Sequence, residues 1–475
     1  MRKRDNKYSM HYYSMQYAVW LDNAREQSIF LSKLLRIAHC LLFFTAYCSS
    51  VMAQVPTDVG VRRCANPEIE AQLQRRFGAR AAEMVRLNRL VESAEIERVS
   101  GLSNQTGARQ AGQLIYRIPV VVHVVHNTAN GTIGGAGNSN ISDAQILSQI
   151  RVLNEDYRKI AGTPGGASTN PLAVDTGIEF FLATQDPDGK PTTGITRHYY
   201  SAQKSFDLFN DLFVISSVVY WPSNQYLNIW VVNISNRGYL GYGQFPSAAD
   251  TLKGLGETDE KIDGFVVDHR YFGSQIGTVT STLYCCGRTA THEIGHWLGL
   301  FHPNGDSRCG DDYVADTPQI ETLNQTDRCD PLFSTCQSAT KTRNLIEDYM
   351  DYSPDQCMNL FTGGQRDRMR AVLQLSPRRR QLIQSATALA PTEKLTVKAY
   401  PNPVLTNATV DVQFSGSQSF TVELYDVSGR LRQTQNYVST LSRSITVDAS
   451  TLAVGVYVLR VTTPNERASQ RLLVK

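Results

Sequence analysis

Two kinds of hydrophobic spacing alternate along most of the chain. Between Pro67 and Glu97, apolar residues recur every three to four positions in an arginine-rich stretch, which predicts helix. Residues Ile118–His126 are mostly β-branched, which predicts a buried strand. Ser142 followed by Gln145 is typical of a capping box and predicts the start of a second helical segment.

Further strands are predicted at 178–183, 226–234 and 264–269, with helices and loops between them. This alternation continues to about Gln384 and predicts a mixed α/β (α+β) domain. The stretch that follows, 387–394, is rich in alanine, threonine and proline and is expected to be a linker.

After the linker the pattern changes to short strands at regular intervals, separated by turn signals such as Ser428–Gly429. This spacing predicts an all-β sandwich over 395–475. The predicted strands are Leu395–Tyr400, Thr409–Phe414, Phe420–Asp426, Ser444–Val447, Gly455–Thr462 and Gln470–Val474.

Composition limits the class of protein. At 475 residues the chain is long enough for about two to four domains. Hydrophobic residues make up 41% and charged residues 19%, which excludes a wholly disordered chain. The net charge of +3 is not the basic surplus of a nucleic-acid-binding protein, so no nucleic-acid partner is expected.

The N-terminal region has the features of a secretory signal peptide. Lys33 and Arg36 precede a short apolar run, 37–47, and small residues lead to a cleavage position after Ala53. The run is too short to anchor the mature protein across a bilayer. We therefore expect export into an oxidising environment, where cysteines can pair.

The chemistry of the chain is concentrated in a motif on one predicted helix. His292 and His296 are four residues apart and share a helix face, so both imidazoles can bind one cation. Gly299 permits a left-handed turn that returns His302 as a third ligand. Three neutral nitrogens leave a zinc ion one open position, as in catalytic sites, and Glu293 is placed to act as general base.

Three other interpretations of this motif need to be weighed. A surface helix can be rich in histidine by chance, and a zinc enzyme can take its third ligand from a later glutamate, here Glu347. A non-catalytic cell-surface binding protein, or adhesin, could also keep the metal site for structure alone. The presence of Glu293 favours catalysis over this last alternative, because a structural site does not need the base.

The residues around this motif resemble one family of zinc proteases. The segments Gly287–Leu300, Asp312–Pro318, Tyr349–Ser353 and Cys357–Asn359 are similar to the pappalysin (M43) metzincins of the cytophagalysin/ulilysin branch. The resemblance covers roughly 115–380 and implies a metzincin-like fold and hydrolysis of peptide bonds in protein or peptide substrates.

The resemblance also implies roles for individual residues. Met350 would be the methionine of the Met-turn beneath the metal, and Tyr352 would hydrogen-bond the tetrahedral intermediate or a ligand of the free site. The implied disulfides are Cys309–Cys336 and Cys329–Cys357.

An acidic loop follows the zinc motif. Asp311, Asp312, Asp316 and Thr317 place hard oxygen ligands on one short segment, although such loops are often only solvated. The resemblance to calcium-binding pappalysins favours calcium here, as a second cofactor beside zinc.

Substrate preference is predicted from the segment after the Met-turn. The resembling enzymes prefer a basic residue just after the scissile bond and use a nearby acid, for which Asp355 and Gln356 are the candidates here. The strand 264–269 is expected to be the sheet edge to which a substrate adds as an antiparallel strand.

The C-terminal sandwich resembles a sorting domain. The segments Ala399–Pro403, Leu424–Arg430, Gly455–Arg460 and Arg471–Lys475 are similar to the type A sorting domain of the type IX (Por) secretion system of Bacteroidetes. The resemblance implies recognition by that machinery and export across both membranes. Release into the medium and retention on the cell surface both stay open.

Cys64 suggests how the enzyme is kept latent. It lies before the helical segment without an evident disulfide partner, and a thiolate is a good zinc ligand. We expect Arg62 and Arg63 to lower its pKa, and an activating cut near Arg109. The alternative is a disulfide from Cys64 to one of the adjacent cysteines at 285 and 286.

The expected organisation therefore has five parts. They are a signal peptide with a long polar lead (1–53), a pro-segment (54–110), a pappalysin-like catalytic domain (111–386), a linker (387–394) and a sorting domain (395–475).

Overall fold

The computed structural model describes nine stretches of the chain: 62–102, 115–236, 238–254, 256–336, 340–389, 395–414, 418–440, 443–463 and 466–475. The predicted signal peptide and the predicted cut near Arg109 lie outside them. None of the helices in these stretches is both long and apolar enough to cross a bilayer.

The described part of the chain before residue 395 is built from helices around one mixed sheet, and it includes the predicted pro-segment. Its helices are α1 (Asn66–Arg76), α2 (Arg80–Leu102), α3 (Asp143–Tyr157), α4 (Leu212–Val218), α5 (Arg288–Trp297), α6 (Gly363–Leu375), α7 (Pro377–Gln384) and α8 (Ala386–Leu389). Its strands are β1 (Arg62–Cys64), β2 (Tyr116–His126), β3 (Ile178–Leu182), β4 (Ile195–Tyr199), β5 (Leu227–Val232), β6 (Tyr239–Gly243), β7 (Gly264–Asp268), β8 (Phe333–Ser334) and β9 (Thr342–Arg343).

The sheet is centred on β2, the strand predicted from the run of β-branched residues. Within the described ranges the order is β1-β6-β7-β5-β2-β3, and β4 pairs with the second half of β2. All neighbours are parallel except β6 and β7, which run antiparallel. β2 is buried on both faces, which explains its continuous apolar pattern.

The main core lies between this sheet and the helices α3 and α5. Ile146, Ile150 and Leu153 of α3 pack against the inward residues of β2, β5 and β7. At the start of α3, the Ser142 side chain accepts a hydrogen bond from the Gln145 N–H, as the capping pattern predicts. The core therefore holds α5, which carries the histidine motif, against the sheet.

Two predictions about the chain before residue 395 are wrong in detail. The helical stretch predicted for 67–97 is two helices, α1 and α2, separated at Phe77–Ala79. The strand at 264–269 is not the sheet edge, because β7 lies between β5 and β6. Strand β6, which the hydrophobic pattern does not reveal, lies outside it and pairs with β1 of the predicted pro-segment.

The C-terminal part has a core of its own and consists of antiparallel strands. The strands are β10 (Thr396–Tyr400), β11 (Asn407–Gln413), β12 (Gln418–Asp426), β13 (Leu431–Thr440), β14 (Arg443–Asp448), β15 (Gly455–Thr462) and β16 (Arg467–Val474). They form two sheets, with orders β10-β11-β14 and β13-β12-β15-β16. This confirms the predicted all-β sandwich, with one strand, β13, that the pattern did not predict.

Candidate active site

The three motif histidines converge on one point. The Nε2 atoms of His292 and His296 are 3.1 Å apart, and each lies 3.1–3.2 Å from Nε2 of His302. All three side chains are buried. Two histidines come from successive turns of α5, and the third returns because Gly299 adopts a left-handed φ of 89°.

This geometry fits a zinc ion. For zinc–nitrogen distances of about 2.0–2.1 Å and tetrahedral angles, ligand nitrogens should be separated by about 3.3 Å. The other ring nitrogens face oxygens: Nδ1 of His292 lies 2.8 Å from the Tyr349 carbonyl, and Nδ1 of His296 lies 2.7 Å from the Leu300 carbonyl. These partners favour a proton on Nδ1 and leave the Nε2 lone pairs facing one another, an arrangement that a cation stabilises.

The third histidine is oriented by a residue that the sequence reasoning missed. Nδ1 of His302 contacts a carboxylate oxygen of Asp306. Burial alone would raise the pKa of Asp306, but the hydrogen bond to His302 and the charge interactions with His302 and His296 lower it below its usual value. The spacing of four residues from a predicted ligand was the available clue, since metal-binding histidines commonly donate to a carboxylate.

Glu293 lies beside the histidines and against strand β6. Its side chain is buried, and glycines at 241 and 243 allow the strand to approach it closely. A Cβ atom at Gly243 would lie 2.1 Å from the Glu293 carbonyl oxygen. The outermost catalytic strand and the predicted base are therefore adjacent, as hydrolysis of a strand-bound peptide requires.

The floor and wall of the site are formed by the segment after α5. Met350 is buried against α5 at Gly295, where an added Cβ would meet its sulfur at 2.3 Å. The ring of Tyr352 lies 4.9 Å from the ring of His302 and 5.8 Å from that of His292, measured between centroids. Tyr352 is thus placed beside the histidines and Met350 against the helix that carries two of them, and their roles stay predictions.

Cys64 of strand β1 lies next to the three histidines. Its sulfur and the three histidine nitrogens all lie within 4.8 Å of one another, and all four residues are buried. The sulfur is also 3.4 Å from Oε2 of Glu293. Cys64 is a free cysteine in the structure, which argues against a disulfide to Cys285 or Cys286.

The neighbour Asn66 holds Cys64 in place. Its side-chain amide donates to the Gly243 carbonyl over 2.6 Å and accepts from the Gly243 N–H over 3.1 Å. Its backbone N–H lies 3.4 Å from the Cys64 sulfur. Asn66 therefore joins β1 to β6 through side-chain bonds, a function that its position after Cys64-Ala65 does not reveal by itself.

The expected effect of Arg62 and Arg63 on Cys64 is wrong. Burial, and secondarily the Glu293 carboxylate, raise the pKa of the Cys64 thiol well above its usual value. Both influences come from the folded site rather than from the flanking sequence. Only a cation bound by the histidines would favour the thiolate at this position.

Asp355, predicted to contact substrate, is instead buried and bonded to the backbone. Its Oδ2 accepts from the backbone N–H groups of Cys286 over 2.8 Å and Arg288 over 3.2 Å. These bonds tie the segment after the Met-turn to the first residue of α5. Gln356 is exposed. The preference for Lys or Arg stays a prediction.

The carboxylates of the acidic loop are engaged in local hydrogen bonds. Asp312 accepts from the Thr317 hydroxyl over 2.7 Å, and Asp316 accepts from the Thr362 hydroxyl and the Gly364 N–H at the start of α6. Burial raises the pKa of Asp312 to about 7. Calcium binding by Asp311, Asp312, Asp316 and Thr317 stays a prediction.

Six cysteines lie between positions 285 and 357. Both implied disulfides, Cys309–Cys336 and Cys329–Cys357, are present with Cα–Cα distances of 5.4 Å. Cys285 and Cys286 are free thiols. The rival metal ligand Glu347 is instead paired with Arg343.

A buried polar cluster supports α5 from behind. Asp156 of α3 accepts from the Thr291 hydroxyl over 2.7 Å, the Tyr349 hydroxyl over 3.0 Å and the Arg288 guanidinium over 3.0 Å. It thereby joins α3, α5 and the Met-turn segment. Sequence reasoning missed Asp156 because its partners are more than a hundred residues away.

Two family models match the chain. The model described as pregnancy-associated plasma protein-A, of the M43 peptidases, matches residues 211–374. The model described as secretion system C-terminal sorting domain matches residues 398–475. The second match shows export through the type IX pathway to the outside of the cell.

Several known proteins are similar over the catalytic part. An extracellular metalloprotease of Verticillium alfalfae is 42% identical over 57% of this chain and 81% of its own. A promirolysin mutant of Tannerella forsythia is 34% identical, covers 68% of this chain and 97% of its own, and has a TM-score of 0.50. Mature mirolysin of the same organism, in complex with a cleaved peptide, is 37% identical over 59% of this chain and 99% of its own, with a TM-score of 0.49. The family model at 211–374 and the 42% identity over 81% of the Verticillium alfalfae protease show the family of the catalytic part. The chain, which also carries a sorting domain, belongs to the M43 metalloproteases, the family of pregnancy-associated plasma protein-A.

Proposed function

We propose that this secreted metalloprotease is a zinc-dependent endopeptidase whose ligands are His292, His296 and His302. The convergence of three buried Nε2 atoms within 3.2 Å carries this proposal. Bound there, zinc would polarise the scissile carbonyl and lower the pKa of the attacking water. The domain boundaries given above are part of the same proposal.

Proton transfer is assigned to Glu293. Its Oε2 lies 3.4 Å from the Cys64 sulfur, and that sulfur lies next to the three ligand nitrogens. A water molecule replacing the sulfur would be within reach of the carboxylate. Glu293 would accept its proton and pass that proton to the leaving amine. Tyr352, beside His292 and His302, would donate its hydroxyl to the developing oxyanion.

Strand β6 is the proposed binding edge for substrate. A peptide added antiparallel to β6 would pass Glu293, because the glycines at 241 and 243 bring this strand against the carboxylate. Strand β1 lies on the same edge but runs parallel to β6, with Arg62 opposite Tyr239 and Cys64 opposite Gly241. The pro-segment would therefore cover this edge with its chain running opposite to that of a bound substrate, and for this reason it would resist cleavage.

The proposed zymogen is held latent by Cys64. The sulfur is the fourth potential ligand in the histidine cluster and excludes water from the position next to Glu293. The bonds of Asn66 to Gly243 keep it there. Removal of the pro-segment would take away both the sulfur and the blocking strand, and promirolysin, a relative with a pro-form, supports this interpretation.

The catalytic assignment is tested with Glu293→Ala and a matched control, Glu347→Ala. Wild type and variants are activated by the same added serine protease and assayed on a denatured protein, with zinc content measured in parallel. We expect Glu293→Ala to keep zinc and lose several orders of magnitude in kcat/KM, since both proton transfers depend on it. Glu347→Ala should stay near wild type. More than a tenth of wild-type activity in Glu293→Ala would refute the assignment.

Latency is tested by comparing the chain with its Cys64→Ala variant. Without the thiol, water can enter beside Glu293, so the variant should be active early and destroy its own pro-segment. Activity and pro-segment length are followed over time by a peptide assay and mass spectrometry. The control Arg75→Ala changes a residue of α1 outside the site. An equal lag in wild type and Cys64→Ala would mean that Cys64 does not hold the enzyme latent.

A further inference from the structure

Two adjacent cysteines precede the active-site helix and have no role in the proposed mechanism. Cys285 and Cys286 are both partly exposed and form no disulfide. Neither belongs to the histidine cluster. In the sequence, Gly287 alone separates them from Arg288, where α5 begins.

The two sulfur atoms share one neighbouring donor. The side-chain amide of Gln275 lies 4.0 Å from the Cys285 sulfur and 3.7 Å from the Cys286 sulfur. The interaction between the two thiols lowers the pKa of Cys285 to about 7 and raises that of Cys286. One sulfur is thus prepared to act as nucleophile and the other stands beside it.

The backbone of the pair is held from both sides. The Gln275 N–H donates to the Cys285 carbonyl over 2.8 Å, and the Arg288 guanidinium donates to the Cys286 carbonyl over 2.8 Å. The Cys286 N–H donates to Oδ2 of Asp355, which also accepts from the first N–H of α5. A change in the conformation of the Cys285–Cys286 peptide would therefore be transmitted through Asp355 to the start of the helix that carries Glu293.

We propose that Cys285 and Cys286 form a reversible vicinal disulfide that acts as a redox switch on the active-site helix. The oxidant is a small-molecule disulfide of the glutathione class. The Cys285 thiolate attacks one sulfur of this disulfide and releases one thiol. Cys286 then loses its proton, attacks the Cys285 sulfur and releases the second thiol. The two cysteines lose two hydrogens in total, and the small disulfide becomes two thiols.

The ring closed by this bond is strained. Neighbouring Cα atoms are about 3.8 Å apart across a trans peptide, whereas disulfides usually join Cα atoms about 4.4–6.8 Å apart. Closing the ring must twist the intervening peptide and draw the Cys286 N–H away from Asp355. Strain also makes the bond easier to reduce than an ordinary disulfide, so the oxidised state is reversible under mild conditions.

The experiment uses activated enzyme, from which the pro-segment and Cys64 have been removed. The enzyme is treated with excess oxidised glutathione, and free thiols are counted by alkylation and peptide mass. We expect the thiols of Cys285 and Cys286 to fall from two to none, with their peptide lighter by two hydrogens and no bound glutathione. Reduced glutathione should restore both thiols while Cys309–Cys336 and Cys329–Cys357 stay intact.

Protease activity is measured on the same samples. The expected change in activity rests on the proposed function, whereas formation of the disulfide ring does not. We expect oxidation to lower kcat/KM at least fivefold and reduction to restore it. Cys285→Ser and Cys286→Ser should each bind at most one glutathione, form no ring and change less than twofold. Two persistent thiols, or a stable glutathione adduct in wild type, would refute the disulfide. Ring formation with unchanged activity would refute the switch but leave the proposed function standing.

Discussion

The buried Arg80 of α2 should control how firmly the pro-segment is docked. Its guanidinium is fully buried and makes two 2.8 Å hydrogen bonds to Glu70 of α1. It also lies 3.4 Å from Oδ2 of Asp259 and donates to the Phe245 carbonyl over 3.0 Å, both in the catalytic domain. Asp259 in turn accepts from Arg378 of α7 over 2.9 Å. Arg80 thus connects the pro-segment to a buried ionic network of the enzyme.

The size of the effect follows from the buried charges. Arg80→Met removes the cation but leaves the Glu70 carboxylate, which is 7% exposed, buried without its bidentate partner. Breaking a buried ion pair in this way costs about 3–5 kcal/mol. A tenfold change in an equilibrium constant corresponds to about 1.4 kcal/mol, so the undocked population of the pro-segment should rise by about a hundredfold to a few thousandfold. Glu70 becomes solvated on undocking, so most of this cost falls on the docked state.

The assay measures undocking as the rate at which an added protease cleaves the pro-segment. All proteins carry Glu293→Gln, which removes self-cleavage, and protease is kept low so that cleavage reports the open population. The matched control is Arg86→Met, an arginine of the same helix whose side chain is 65% exposed and pairs with Glu83. Such exposed pairs contribute about 0.5 kcal/mol or less. Cleavage of Arg80→Met within threefold of the control would refute the reasoning.

Two further predictions concern pH and specificity. Burial lowers the pKa of His123 to about 3, although Asn228 accepts a hydrogen bond from its ring. Because the folded state resists protonation of this histidine, its contribution to stability is present above the unfolded pKa of about 6.5 and is lost as the pH falls towards 3, by about 1.4 kcal/mol per pH unit. Urea unfolding at pH 7 and pH 5 should show a smaller acid loss in His123→Gln than in wild type; an equal loss would contradict this. Cleavage-site profiling on a denatured proteome should show Lys or Arg enriched just after the cut. Apolar enrichment there would exclude the preference, and the buried position of Asp355 would explain why.

Much of the site could be predicted because it is local. His292, Glu293 and His296 lie within two turns of one helix, and Gly299 and His302 follow within a few residues. Their relative positions depend on helix periodicity and one left-handed glycine, which a sequence displays directly. The disulfide pairing came from family resemblance and is confirmed.

The position of the binding edge and the pKa of Cys64 could not be predicted in the same way. Strand order depends on which strands pair across long separations, and the hydrophobic pattern of Gly264–Asp268 is the same for an interior strand as for an edge strand. The flanking arginines suggested a lowered pKa, whereas burial and Glu293, 229 residues along the chain, raise it.

The sequence by itself predicted the fold class from periodicity and the histidine motif from contiguous residues, and the export route followed from segments that resemble a sorting domain. Only the tertiary structure decided that β6 lies outside β7 and is covered by β1, that Cys64 lies next to the histidines, and that Asp355 supports the start of α5. These facts depend on contacts between residues that are far apart in the sequence. Glycine at 243 permits strand β6 to approach Glu293 closely, and burial raises the pKa of Cys64. Composition and spacing along the chain indicate neither which residues come into contact nor how deeply they are buried.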